Sequence, residues 1–302
     1  MRQAASTRPS ALKALLLTLR PEQWIKNLLV FAGVMFGGRL LDVSSLWAAI
    51  TTFAVFCALS SAVYIFNDIA DREADRQHPL KSSRPIAAGD LSPAAAAFAG
   101  AGLAGAALAV ATILTPRLGL VAAAYLVLLL LYSAALKHFV IVDVLVIAGG
   151  FVLRAVAGAV AVAVPISHWL LVCTTLLALF LALSKRRHEL TLLGEVAVGH
   201  RRILEEYSPY LLDQMIAVVT ASTLVAYTLY TTDAETAARL GTTRLGLTVP
   251  FVLYGIFRYL YLVHQKRGGG SPSTMLVTDR PLLACVALWA ASVAVILYFP
   301  LD

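Results

Sequence analysis

The stretch from Leu46 to Asp75 reads LWAAITTFAVFCALSSAVYIFNDIADREAD, an uncharged apolar run that ends in a burst of carboxylates. Its apolar part, residues 46–66, has the length of about 20 residues that one helix needs to cross the hydrocarbon core of a bilayer. The pattern is helical rather than strictly alternating, which excludes an outer-membrane barrel. On a helix, Asp68, Asp71 and Asp75 are spaced three and four apart and face the same way. Like charges on one stripe repel, and a helix C-terminus disfavours anions. A bound divalent cation removes both penalties. Hard carboxylate oxygens suit Mg2+, which binds through one or two carboxylates plus substrate phosphate oxygens. The plainer alternative is a solvated acidic helix end, salt-bridged to Arg72 and Arg76.

Composition extends this reading to the whole chain. Of 302 residues, 60% are apolar and only 14% charged, against about 25% charged in an ordinary soluble domain. No soluble core of this length hides so much apolar surface, so lipid is part of the solvent. A soluble enzyme, a disordered chain and a nucleic-acid binder are excluded despite the net charge of +7. Apolar runs at 24–41, 46–66, 93–114, 118–136, 139–160, 168–184, 209–231, 246–264 and 281–300 predict nine transmembrane helices in one polytopic domain, residues 1–302. The first run is the weakest, with Lys26 and Asn27 at its start and Gly33, Gly37 and Gly38 inside it. Gly33 and Gly37, like Gly102 and Gly105, suit close helix approach, either within the chain or between copies of a homo-oligomer. Cys57, Cys173 and Cys285 lie in apolar runs without metal spacing and read as packing residues.

Nine spans put the N-terminal tail, residues 1–20, on the side that carries 18 of the 24 Lys and Arg. Arg2, Arg8, Arg201, Arg202 and Arg267 are among them. Only Arg39, Arg117, Arg239 and Arg244 fall on the opposite side, and Arg154 and Arg258 within spans. The bias predicts a cytoplasmic N-terminus in a plasma (inner) membrane.

Beyond the aspartates comes Arg76-Gln77-His78-Pro79-Leu80-Lys81-Ser82-Ser83-Arg84-Pro85-Ile86-Ala87-Ala88-Gly89, a loop by its prolines and glycine. Lys81 and Arg84 there set cations beside the acids, an arrangement a metal diphosphate requires and positive-inside topology also explains. Lys26, with Gln23 and Asn27, enters the first span at the depth of a lipid phosphate; snorkelling accounts for it equally. Lys137, at the turn after the fourth span, is a candidate phosphate ligand, while His138 reads as an interfacial residue. Arg154, inside the fifth span, must face a cavity or a partner. Lys185 and Glu189 are spaced as an ion pair at a helix end.

The wording of these segments resembles a known family. Asn67-Asp68-x-x-Asp71-x-x-x-Asp75 followed by Arg84-Pro85 is similar to the first signature of the UbiA superfamily of intramembrane prenyltransferases. Arg20-Pro21-x-Gln23-Trp24-x-Lys26-Asn27, the run Asp75–Gly89 and Leu136-Lys137-His138 look like the branch that makes decaprenylphosphoryl-5-phosphoribose for cell-wall arabinan. The resemblance implies an all-α integral membrane fold of nine helices around a central cavity, with active-site loops at 67–92 and 185–208. One departure stands out. Where the superfamily carries a second aspartate-rich motif, this chain reads Ser184-Lys185-Arg186-Arg187-His188-Glu189, with one carboxylate.

The resemblance therefore implies transfer of 5-phosphoribose from phosphoribosyl pyrophosphate to a polyprenyl phosphate. Asp68 and Asp71, supported by Asp75, would hold Mg2+, and Lys81 and Arg84 would meet the departing diphosphate. Asn67, Gln23, Lys26, Lys137, Arg154, Lys185, Arg186 and Glu189 are the expected substrate contacts. The alternatives are a prenyltransferase acting on an aromatic acceptor and a transporter. Transporter sites belong near the bilayer midplane, whereas most charges here gather at one face.

Overall fold

The computed structural model describes residues 10–78, 81–193, 206–266 and 272–299, and among these there is no β-strand. The chain opens with α1 (Ala11–Leu19), a 3-10 helix (Pro21–Val30), α2 (Phe31–Phe36) and α3 (Val43–Ala70). Two short helices, α4 (Arg72–Gln77) and α5 (Pro85–Ala88), precede α6 (Pro93–Leu114) and α7 (Pro116–Ala134). A 3-10 turn (Leu136–His138) leads into α8 (Val142–Ala161), α9 (His168–Leu193) and α10 (Pro209–Thr232). Then follow α11 (Ala234–Leu240), α12 (Val249–His264), α13 (Pro272–Thr278) and α14 (Arg280–Tyr298). Eight of these helices are long and apolar enough to cross a membrane.

Helix starts follow local chemistry. Ser92, Thr115 and Ser208 each cap a helix whose first residue is proline, and their hydroxyls accept from Ala95, Leu118 and Leu211 N–H groups at 3.2, 3.0 and 3.0 Å. Proline lacks the N–H that would be orphaned there, and the cap satisfies another. This matters more at a bilayer, where no water rescues an unpaired backbone group.

The first expected span, 24–41, is built differently from the other eight. It consists of the 3-10 helix Pro21–Val30 followed by the six residues of α2. With three residues per turn, Trp24, Asn27 and Val30 stack on one face. Trp24 Nε1 donates to Ser61 Oγ at 3.0 Å, and Asn27 and Val30 are fully buried. The glycines allow the close approach: a Cβ on Gly33 would collide with the backbone of Gly158, and one on Gly158 with the Val30 carbonyl. Gly33 thus serves packing within the chain, whereas a Cβ on Gly102 or Gly105 meets nothing. The far end of this segment is closed by Tyr298 of α14. Its hydroxyl donates to the Met35 carbonyl at 2.8 Å and accepts from Leu40 N–H at 3.1 Å.

The N-terminal tail contains α1, capped by Ser10, whose hydroxyl accepts from Lys13 N–H. One other expectation needs correction. The second polar loop, expected from 185, is helical through Leu193, because nothing after Ser184 breaks α9 and its charges pair one turn apart. Its remainder up to residue 205, with Arg201 and Arg202, lies outside the described residues, as do Arg2, Arg8, Pro79 and Arg267.

Packing forms two main cores that meet at α8. One joins Phe56, Leu59, Ala107, Leu118, Tyr125 and Ala157, and the other joins Val144, Phe180, Leu183, Leu212, Tyr259 and Leu282. Large apolar side chains such as Phe98, Ile113, Leu120 and Val218 face outward, as lipid contact demands. Gly158→Ala is expected to lower the melting temperature of the detergent-purified protein, at a cost of about 1–3 kcal/mol for overpacking. Gly102→Ala, on the open face of α6, is expected to leave it unchanged or raise it slightly.

Candidate active site

Several polar contacts from distant segments converge where α3 gives way to α4. Asp68 and Asp75 are each only 2% exposed. One nitrogen of Arg84, Nη1, lies 3.0 Å from Asp68 Oδ1 and 2.6 Å from Asp75 Oδ2. Arg20 Nη2 reaches the same Asp68 oxygen at 2.5 Å, and Lys81 Nζ stands 3.9 Å from Asp75 Oδ1. The expected common stripe of three carboxylates is corrected at Asp71. This residue caps α3 with φ −88° and ψ 5°, well off helical values. Its carboxylate accepts instead from Lys137 Nζ at 2.9 Å and Asn67 Nδ2 at 3.0 Å. Two acids therefore share one point and the third stands apart. Among the described residues no three His, Cys, Asp or Glu gather as a metal-binding group. The plain alternative of pairing to Arg72 and Arg76 fails too, since both arginines pair with the exposed Glu73.

Local structure delivers each cation. Pro85 opens α5 and Gly89 ends it in the left-handed region at φ 83°, a conformation glycine adopts at no steric cost. Arg76 Nε ties α4 to this turn through the Ala87 carbonyl at 3.1 Å. Arg20, between α1 and the 3-10 helix, is held at φ 53° and ψ 62° and lays its guanidinium 4.8 Å from the Tyr64 ring centre. Within the 3-10 helix three residues per turn put Gln23 and Lys26 on one face, and the Gln23 N–H bonds the Arg20 carbonyl at 2.9 Å. Among the described residues Lys26, half-buried, has no carboxylate within ion-pair distance.

Arg154 is 6% exposed and is held by protein groups. Its Nε donates to Asn27 Oδ1 at 2.6 Å, Nη2 to the Tyr125 hydroxyl at 2.6 Å, and Nη1 to the Gly150 carbonyl at 2.8 Å. Neutral acceptors and the faces of Tyr125 and Phe151 hold the charge. Arg154 thereby braces the 3-10 helix against α7 and α8.

Arg186, also expected to touch substrate, is 2% exposed and committed to protein groups. Nε donates to Asp143 Oδ2 at 2.8 Å, Nη1 to Glu189 Oε2 at 2.6 Å, and Nη2 to the Tyr132 hydroxyl at 3.2 Å. Glu189 also faces Lys185 at 3.8 Å. The Tyr207 hydroxyl donates to Asp143 Oδ1 at 2.9 Å and accepts from Ile141 N–H at 2.7 Å. Burial pushes this phenol up to about 12, so it stays a neutral hydroxyl able to do both. Arg187 pairs with Asp213, and Arg258 with Asp279 at 2.8 Å.

The chain matches the model of the UbiA prenyltransferase family over residues 28–278. The chain belongs to the UbiA prenyltransferase family. It is similar to proteins named decaprenyl-phosphate phosphoribosyltransferase. The one from Mycolicibacterium smegmatis is 34% identical, covering 94% of this chain and 92% of that protein. The one from Corynebacterium glutamicum is 32% identical, covering 93% and 85%. Among solved structures, a UbiA homolog from Archaeoglobus fulgidus, bound to GPP and Mg2+, superposes with a TM-score of 0.73 at 20% identity, over 93% of this chain and 99% of that one. A UbiA homolog from Aeropyrum pernix K1 gives 0.65 at 18% identity, over 92% and 98%. This chain is thus a multi-pass membrane transferase with the all-helical UbiA fold.

Within that UbiA frame, sequence reasoning missed Arg20, Asp143, Tyr125 and Tyr207. Arg20 carries a signal, since it opens the Arg20-Pro21 motif, but by position alone it reads as one more positive-inside charge. Asp143, one turn into an apolar span, is visible as an unpaired acid awaiting a partner. The two tyrosines carry none, because tyrosine is common at membrane interfaces. Asn27→Ala is expected to destabilise the protein by about 1–3 kcal/mol by stripping the acceptor from a buried donor. Combined with Arg154→Met, the loss should be smaller than the sum of the single effects, read as melting temperatures in one detergent.

Proposed function

We propose that this enzyme transfers 5-phosphoribose from phosphoribosyl pyrophosphate to a long polyprenyl phosphate such as decaprenyl phosphate, releasing pyrophosphate. The carrying observation is the Arg84 nitrogen that touches both Asp68 and Asp75. Two buried carboxylates already share one point of positive charge, ringed by Arg20, Lys81 and, through Asp71, Lys137. Acids and bases in this proportion suit a substrate that brings both a divalent cation and several phosphate charges. The similarity to decaprenyl-phosphate phosphoribosyltransferases along nearly the whole chain supports the same reading.

The donor set fits Mg2+, which needs only one or two carboxylates beside phosphate oxygens. Asp68 and Asp75 would hold it, with Asp71 at the rim. When bound, the ion withdraws charge from the departing diphosphate. Arg20, Lys81 and Arg84 then trade carboxylate partners for diphosphate oxygens and stabilise the charge that grows on them. Lys137 and Asn67 steady Asp71 and the donor beside it. The bond from ribose C1 to the diphosphate oxygen breaks, and one from C1 to an oxygen of the lipid phosphate forms. The acceptor oxygen is already ionised near neutral pH, so no proton has to move and no general base is required. Lys26, on the Gln23 face of the 3-10 helix, meets the lipid phosphate at the membrane surface. Rate enhancement rests on alignment and on charges fixed in advance. The one-sided distribution of Lys and Arg supports a cytoplasmic mouth.

The basic last turns of α9 favour this donor over a prenyl diphosphate. Asp143, Glu189 and Asp213 are all paired with Arg186 or Arg187, leaving no second acidic cluster among the described residues. Purified protein in nanodiscs is expected to convert labelled phosphoribosyl pyrophosphate and polyprenyl phosphate into labelled lipid. Consumption of geranyl diphosphate with an aromatic acceptor would overturn the reading. Asp68→Asn and Arg84→Met should each lower turnover about 100-fold or more, and chelation should abolish it until Mg2+ is restored.

A further inference from the structure

We propose that Tyr207 is a positioning residue whose hydroxyl holds a strained turn at Ile141 and thereby sets Lys137 against Asp71. This rests on the reading above that the Asp71–Lys137 pair serves donor binding.

Ile141 sits at φ 69° and ψ −45°, and the Val142 N–H reaches back to the Val140 carbonyl at 2.8 Å. That is a γ-turn of the positive-φ kind, which is rare and strained. A β-branched residue there is a true outlier. Burial does not repay the strain, since Ile141 is 48% exposed. Such a conformation persists only where its surroundings over-determine it.

Tyr207 supplies that constraint from across the fold. Its hydroxyl accepts from Ile141 N–H at 2.7 Å and donates to Asp143 Oδ1 at 2.9 Å, gripping both sides of the turn. Arg186 locks the other oxygen of Asp143 at 2.8 Å and joins it to Tyr132 and Glu189. Tyr207 is itself anchored, being buried directly before the Ser208 cap of α10. The turn passes the constraint on. Asp143 N–H bonds the Phe139 carbonyl at 3.0 Å, and Phe139 N–H bonds Leu136 at 3.3 Å, so little slack separates Ile141 from Lys137. At the other end Lys137, 14% exposed, meets Asp71 at 2.9 Å. A hydroxyl next to the second polar segment thus fixes a cation at the first.

The test uses the full chain in nanodiscs and acylation of lysines by an amine-reactive reagent, read by mass spectrometry. Tyr207→Phe keeps the ring and removes the hydroxyl. Labelling of Lys137 is expected to rise several-fold, with exposed Lys266 unchanged. Adding Ile141→Gly should restore protection of Lys137, because glycine takes φ near +69° freely. In turnover, Tyr207→Phe should raise KM for phosphoribosyl pyrophosphate about tenfold with a smaller change in kcat, and the double variant should recover. Unchanged Lys137 labelling, a parallel rise at every lysine, or no rescue by glycine overturns the proposal. The labelling needs no turnover, so a failed transfer assay would strike the reaction proposed above and leave this inference to its own result.

Discussion

Two carboxylates, Asp68 and Asp75, are buried where a membrane-crossing helix ends, and the rest of the mouth is arranged to make that tolerable. A buried charge without a partner is costly, and a buried pair broken on one side is costlier than a polar pair exposed to water. The chain meets this with cations drawn from distant segments. Arg84 comes from the turn between α4 and α5, and Arg20 comes from before the first span in a left-handed backbone. These pairs are geometrically fixed yet chemically exchangeable. A ligand that brings its own cation and its own phosphates offers every group in the cluster a new partner of the right sign.

Beneath the mouth runs a second polar line with a different character. Arg154 carries a charge into the membrane with neutral acceptors rather than an acid. The 3-10 helix makes this possible. Its three-residue turn puts Asn27 toward Arg154 and sets Gln23 and Lys26 together on another face. In an α-helix positions three apart drift by about 60° at each step, and the Gly33–Gly158 contact holds the unusual segment close to α8. The segment weakest as a transmembrane helix is the one that carries the buried Asn27 to Arg154.

Basic residues in the last turns of α9 divide in the same way. Arg186 is a hub among α7, α8 and α9, and Arg187 pairs with α10, so much of the charge there is spent on architecture. α8 belongs to both cores and begins at the strained turn beside Lys137. That position lets it join the two halves of the fold mechanically at the point where the two polar segments approach.

Eight of the spans and the one-sided bias of Lys and Arg are legible in the amino-acid sequence, because both depend on residues close together in the chain. The acidic cluster is equally legible, as is the presence of nearby cations. The partners are not. Asp71 pairs with Lys137 and Asp68 with Arg20 across dozens of intervening residues, and spacing along a helix cannot say which side chain will fold back to meet it. The break at Asp71, the 3-10 winding of residues 21–30 and the commitment of Arg154 and Arg186 to protein groups were decided by packing. Periodicity is local, whereas the burial of a charge is settled only when every neighbouring helix has taken its place.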